Sequence, residues 1–428
     1  MKLGFLKWPF DGINVSTNYS VYNIQLIKTN QPSNNFFSHP VRNIVFSQSI
    51  LELWLRRTPY ALTHIQPIWC DLNNWEPDCD ALVIPYNWFL YFTKEQFILL
   101  SKFKGKIILD EPCDPLVIDE INGREDFLPN FLKEIEQLVD FENLYLLTSS
   151  YLDKNAKQHF KNRFNNIKIV SSNFLMLLLS STTLKNKKRI YTDEHITQNF
   201  YSVKDKEFLL CAGRPRQHRL ALIKYLTDNN FIDGSYVSTN FAPDVKDTIV
   251  DFVAKYKENL LNGAVKYQLS EYCKIEELLN YTDTRIINEY VEEYFRQINN
   301  HPKSNVYSKS KYSIISETVF QTHIDGHCWT SEKTCLPFVY GHPFLLFAMA
   351  NTWQYLKSLG YTEYTQFGAY DSITAPYTRF KTLCDSIYQL QEESMRKETL
   401  DAILHNTNNF YSKDLQDSIV SGFVDQLQ

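Results

Sequence analysis

Glycine is scarce, with 12 in 428 residues. Neither G-x-G-x-x-G nor G-x-x-x-x-G-K-[ST] occurs, which excludes the phosphate loops of typical dinucleotide-binding dehydrogenases and Walker-type ATPases. The eight cysteines, at 70, 79, 113, 211, 273, 328, 335 and 384, show no even spacing and no C-x-x-C. They read as reduced thiols rather than a disulfide framework. Long apolar runs are missing too. The longest is Phe344 to Ala350, far short of the roughly 20 residues of a membrane helix. The N-terminus meets Pro9 and Asp11 before any signal h-region forms. Positive charge is not in excess: Lys+Arg total 44 against 49 Asp+Glu, a formal charge of −5, so the overall balance does not announce a nucleic-acid binder. Repeats and low-complexity tracts are absent. The expectation is a soluble, cytoplasmic protein without a membrane span.

What is present is a globular composition, 44% hydrophobic and 15% aromatic, with 27 Tyr and 29 Phe, which excludes disorder. At about 150 residues per domain the length suggests two or three domains. Apolar runs of strand length alternate with segments of helix length. Strands are predicted at 43–46, 81–84, 106–109, 144–148 and 167–170, and helices at 48–57, 94–103, 128–139 and 151–160, the last capped by Ser149 and Ser150. Buried strands alternating with helices argue for a parallel sheet covered on both faces. Residues 182–207 break the pattern and read as a linker with a basic patch at Lys185, Lys187, Lys188 and Arg189. A second series follows: strand 208–211, helix 217–227, helix 286–298, strand 312–315, helix 331–339 with Pro337 inside it, strand 344–347 and helix 352–359. The tail from Phe380 reads as helical. The boundaries are 1–195, 205–385 and 386–428: two Rossmann-like doubly wound α/β domains and a helical tail.

Four features of the second half carry chemistry. Ala212-Gly213-Arg214-Pro215-Arg216-Gln217-His218-Arg219 joins a strand to a helix, where helix N-termini offer free N–H groups. Three arginines there suit a diphosphate, because guanidinium pairs bidentately with phosphate oxygens; solvated surface charge is the plainer reading of Arg216 or Arg219 alone. Ser316-Glu317-Thr318 follows a strand and places a carboxylate where ribose or sugar hydroxyls could donate to it, or where it caps a turn. Thr330-Ser331-Glu332-Lys333-Thr334 opens a helix and offers a Glu for ribose hydroxyls beside a Lys for phosphate; a capped helix start with solvated charges explains it equally well. His323, His327, Cys328, Cys335 and His342 could be a metal set, but without C-x-x-C or H-E-x-x-H they read better as core and loop residues, so no metal is assigned.

The arginine turn after a strand, the S-E-T after a later strand and the [ST]-E-K-T helix start together resemble GT-B-type glycosyltransferases. The S-E-K-T-C-L-P-F-V-Y-G-H-P-F-L-L-F run looks like a branch common in phages, giant viruses and bacteria, distantly similar to the α-1,3-fucosyltransferase and exostosin-like families. The resemblance spans about residues 207–375. It implies a GT-B fold with a cleft between the domains and a nucleoside-diphosphate sugar donor, used without a cofactor. Arg214 or Arg216 would contact the donor phosphates, Glu332 the ribose, Lys333 a phosphate, and Glu317 the sugar or base. Arg219, Thr318, Ser331 and Thr334 complete the donor set. This chain departs in having Thr318 where Asn is common and His342-Pro343 after the helix.

Such a transfer, read as inverting and metal-independent, also needs a general base in the facing domain. Asp110-Glu111-Pro112-Cys113-Asp114, after the apolar 107–109, is the densest acidic cluster at a strand end. Glu111, Asp110 and Asp114 are the candidates, with Asp71 and His39 behind them. A glycan or small molecule ranks above DNA as acceptor, although the basic linker, with Lys157, Lys161 and Arg163, could face a nucleic acid and make a phage DNA base the acceptor. The competing readings are a sugar phosphorylase or nucleotide-sugar epimerase on the same scaffold, and a catalytically inactive glycosyltransferase-like binding or structural protein.

Overall fold

The structure is a computed structural model describing residues 2–6, 66–70, 78–85, 94–111, 143–164, 167–183, 188–212, 217–232, 234–238, 305–320, 324, 326–364, 369–392 and 397–428. The elements expected at 43–46, 48–57, 128–139 and 286–298 lie outside the described residues. So do His39, Asp71, Asp114, Arg214, Arg216 and His323.

The chain forms two compact units, one of residues 1–182, 324–327 and 416–428, the other of residues 183–323 and 328–415. Both are α/β with parallel sheets, a Rossmann-like architecture as expected. In the first unit, β1 (Lys2–Leu6), β2 (Gln66–Cys70), β3 (Ala81–Pro85), β4 (Lys106–Glu111), β5 (Leu144–Thr148) and β6 (Lys168–Ser171) lie in the order β2-β1-β3-β4-β5-β6. Every pairing is parallel. The central strands are apolar without alternation, and Ala81–Ile84, Ile107–Leu109 and Leu144–Leu147 are buried throughout. A sheet covered on both faces requires this. Helices α1 (Lys94–Ser101), α2 (Lys154–Phe164) and α3 (Phe174–Thr183) belong to this unit.

The helix expected from Tyr151 starts later. Tyr151–Leu152 is extended, and the Asp153 carboxylate caps α2 by accepting from the Asn155 and Ala156 amides at 2.8 and 2.9 Å. Ser149 and Ser150 are instead buried, so the side chain nearest the first free amides does the capping.

In the second unit, β7 (Lys206–Cys211), β8 (Tyr236–Ser238), β9 (Ser310–Ser316) and β10 (Phe344–Phe347) lie in the order β10-β9-β7-β8, again all parallel. Among the described residues its helices are α4 (Asp193–Tyr201), α5 (Gln217–Asp228), α6 (Asn305–Lys309), α7 (Glu332–Tyr340), α8 (Thr352–Ser358), α9 (Pro376–Glu392) and α10 (Lys397–Phe410). The abundant aromatics fill its core: Phe344 stacks on Trp353 at 5.3 Å and Phe338 on Tyr361 at 4.3 Å. Trp353 donates to the Tyr370 hydroxyl at 3.0 Å, and the same oxygen accepts the Leu346 amide of edge strand β10.

The presumed linker contains α4, which is a correction. Thr192 caps it through the His195 amide at 3.2 Å, and Ile196 is its buried residue. With a single apolar anchor it shows no helical period. Ile196 packs so tightly on Gly341 that a Cβ there would lie 2.6 Å from its side chain, and Gly341 also holds φ +58. Glycine is required at that position.

The last helix, α11 (Lys413–Leu427), belongs to the first unit from Gln416 onward. The Gln426 amide closes both backbone groups of Ser171 on edge strand β6, at 3.1 and 3.0 Å, and Phe423 meets Phe174 edge to face. No helix among the described residues is long and apolar enough to cross a membrane.

Candidate functional site

In an open parallel sheet, ligands bind beyond the carboxyl ends of the strands where the order reverses. In the second unit the chain leaves β7 for β8 on one side and returns to β9 on the other, so that point lies between β7 and β9. Cys211 ends β7 and Ser316 ends β9, so Ala212 and Glu317 are the first residues beyond the sheet.

The segment after β9 is pinned from several sides. The Glu317 amide donates to the Phe347 carbonyl at 2.9 Å. Arg219 donates to the Ser316 carbonyl at 2.8 Å, and His218 Nε2 donates to the Glu317 carbonyl at 2.9 Å. His218 also stacks on Phe320. The first turn of α5 is thereby fastened to the end of β9.

The Glu317 side chain fastens the other helix. Oε1 accepts the Ser331 amide at 2.9 Å and the Thr334 hydroxyl, and Oε2 accepts the Ser331 hydroxyl at 2.6 Å. Ser331 Oγ in turn accepts the Lys333 amide at 3.2 Å as the N-cap of α7. Glu317 is 0% exposed. Its carboxylate neutralises the positive end of α7 and holds the turn carrying Glu332 and Lys333. It does not present acceptors to solvent. Ser331 and Thr334 are buried in the same network, while Thr318 is partly exposed beside it.

Glu332 and Lys333 form an ion pair at 2.8 Å, their side chains 24% and 10% exposed. Burial pushes the Glu332 carboxyl upward, but the Lys333 charge and hydrogen bond, a backbone amide and the Arg219 charge bring it below the usual range. Burial pushes the Cys211 thiol up to about 12 against the opposing field of Lys333. Lys333 and Arg219 therefore act electrostatically at the carboxyl ends of β7 and β9, next in sequence to Gly213–Arg216. A carboxylate beside a lysine at such an edge can pair hydroxyls with one group and an anion with the other.

The remaining predicted residues fall elsewhere. Asp110 lies in β4, which continues through Glu111 rather than ending at Leu109, and its neighbours in register are Pro85 and Leu147. It is 4% exposed. Glu111 is the last residue of the strand. His342 sits at the amino edge of the second sheet, where Nε2 donates to the Ser310 carbonyl at 3.0 Å and Nδ1 accepts from the Ser313 hydroxyl at 2.9 Å. A small recess at that edge is lined by Lys204, whose ammonium donates to Asn199 O, Asn199 Oδ1 and Ser308 O. His327, Cys328 and Cys335 are buried, and among the described residues no three metal-ligating side chains cluster.

One participant carries no sequence signal. Arg379 is buried on α9 and donates to the carbonyls of Ala348, Ile373, Thr374 and Phe320, its guanidinium lying 4.6 Å over the Phe320 ring. Burial lowers its pKa to about 10. It ties the residue after β10 to the segment that also carries Glu317, through contacts made only in three dimensions.

The chain matches no known family model, no curated protein and no solved structure.

Proposed function

We propose that this protein is a GT-B-type glycosyltransferase that moves a sugar from a nucleoside-diphosphate sugar to an acceptor hydroxyl. The observation that carries the reading is the Glu332–Lys333 pair at the head of α7, set at the carboxyl edge of β7 and β9 within the field of Arg219. In the reaction the bond from the sugar's anomeric carbon to the diphosphate breaks and negative charge grows on the departing oxygen. Lys333 and the arginine turn at 214–216 stabilise that charge, and Glu332 accepts hydrogen bonds from the ribose hydroxyls. Glu317 acts through them, by holding the helix start. The acceptor hydroxyl's proton goes to a carboxylate of the 110–114 cluster. Asp110 is buried, which counts against it for that task. That burial also supports the second reading, a nucleotide-binding protein without turnover, which ligand binding with no sugar release would identify.

The test is a thermal-shift panel of UDP, GDP, CMP, dTDP, ADP and their common sugars. A ligand at about 100 times its dissociation constant adds roughly 2.7 kcal/mol. One nucleotide is expected to raise the melting temperature, and Lys333→Ala, which starts less stable because it leaves the Glu332 carboxylate without its cation, to show no such rise. A flat panel with folded protein overturns the donor site.

A further inference from the structure

Charge in this chain is unevenly placed. Residues 143–188 hold Lys154, Lys157, Lys161, Arg163, Lys168, Lys185, Lys187 and Lys188 against one acid, Asp153, in a chain of formal charge −5, while Arg189 beyond them pairs with Asp193. Asp153 caps α2. Helix α2 buries Ala156 and Phe160, an i, i+4 stripe. Lys154, Lys157 and Lys161 are exposed and follow one another at i, i+3 and i+7 on a single face, spanning about 10 Å at 1.5 Å per residue. Gln158 and Asn162 are exposed beside them, bonded to each other at 2.6 Å. Exposed Lys168 opens edge strand β6, its ammonium 3.3 Å from the Tyr145 hydroxyl. Lys157 reaches the uncharged Gln426 amide oxygen at 3.5 Å. None of these four lysines forms an ion pair with a described residue.

A face kept only for solubility mixes charges of both signs, and like charges four apart weaken a helix by a few tenths of a kcal/mol. This one carries a single sign, interleaved with amides. We propose that the exposed face of α2, with Lys168, docks the phosphodiester backbone of a nucleic-acid duplex. Lysine ammoniums and side-chain amides are the groups that hold phosphates and position a protein on a duplex without reading its bases. A membrane surface fits less well, because α2 turns Ala156 and Phe160 inward and so lacks an exposed apolar side to insert. The docking does not depend on the donor reading.

The experiment is fluorescence anisotropy of the full chain with a labelled DNA duplex of about 25 base pairs, titrated from about 20 to 200 mM salt. The wild type is expected to bind with a steep salt dependence. The combined variant Lys154→Gln, Lys157→Gln, Lys161→Gln is expected to bind at least about tenfold more weakly at low salt, with a log–log slope shallower by up to about 2.7. Its melting temperature should be unchanged, since the three side chains are exposed. Lys333→Ala is expected to bind duplex like the wild type, so a failed donor site and a failed docking face are told apart. Absence of wild-type binding at about 20 mM salt, where phosphate contacts are strongest, overturns the proposal. So does equal binding by the triple variant. Retention on phosphatidylserine vesicles without duplex binding overturns the nucleic-acid assignment in favour of an anionic lipid.

Discussion

Glu317→Leu is expected to lower stability by about 3–5 kcal/mol, because it strands the Ser331 amide, the Ser331 hydroxyl and the Thr334 hydroxyl in a site closed to water. In a unit of this size that is a fall of roughly 10 °C in melting temperature. Glu317→Gln keeps the shape and one carbonyl acceptor but turns an NH2 toward donors, and should cost about 1–3 kcal/mol. The second variant also tests the positioning role. It leaves Lys333 in place, so if nucleotide stabilises the wild type, Glu317→Gln should weaken that binding while remaining folded. Glu317→Leu melting within about 2 °C of the wild type would remove the network from any account of stability.

A second large effect is predicted in acid. Burial, the first cause, and the charge of Lys204 hold the His342 pKa down at about 4, against an opposing hydrogen bond to the Ser310 backbone. An unfolded histidine titrates near 6.5. The folded pKa is the lower of the two, so the unfolded chain binds the proton first and stability declines as pH falls from about 6.5 to about 4. The contribution present above the unfolded pKa, and lost by the lower end, is about 3 kcal/mol. His342→Gln is expected to start less stable at pH 7 and to lose less on acidification. The check is unfolding free energy by urea titration at several pH values from about 4.5 to 7. Parallel curves for the two proteins would show that His342 is not held neutral. Glu332 adds a change of the same sign at lower pH: its folded pKa lies below the ordinary carboxylate value, so its stabilisation is present above that value and fades as pH falls through the folded one.

Strands such as Ala81–Pro85, Leu144–Thr148 and Phe344–Phe347 were legible because a parallel strand covered on both faces is apolar at every position. The head of α7 was legible for a local reason: Ser331 stands one residue before the first helical position and bonds the Lys333 amide. Helix α4 was not, since one buried isoleucine in nine residues leaves no period. The late start of α2 was missed because two serines and one aspartate all offered caps, and the choice among them was set by where the extended residues Tyr151–Leu152 lead.

Local chemistry, then, is what the sequence determined alone: the α/β class, most strand positions in the described residues, and the residue types gathered at the 316–318 and 330–334 stretches. Those properties depend on neighbours within one turn or one strand. Which partner each polar group takes was decided only by the fold. Glu317 is separated by 14 and 17 residues from the side chains it accepts from, and Arg379 by 59 from the Phe320 carbonyl. A buried carboxylate or guanidinium must satisfy its hydrogen bonds from whatever the tertiary structure brings within reach, so its role is assigned by packing and not by spacing along the chain.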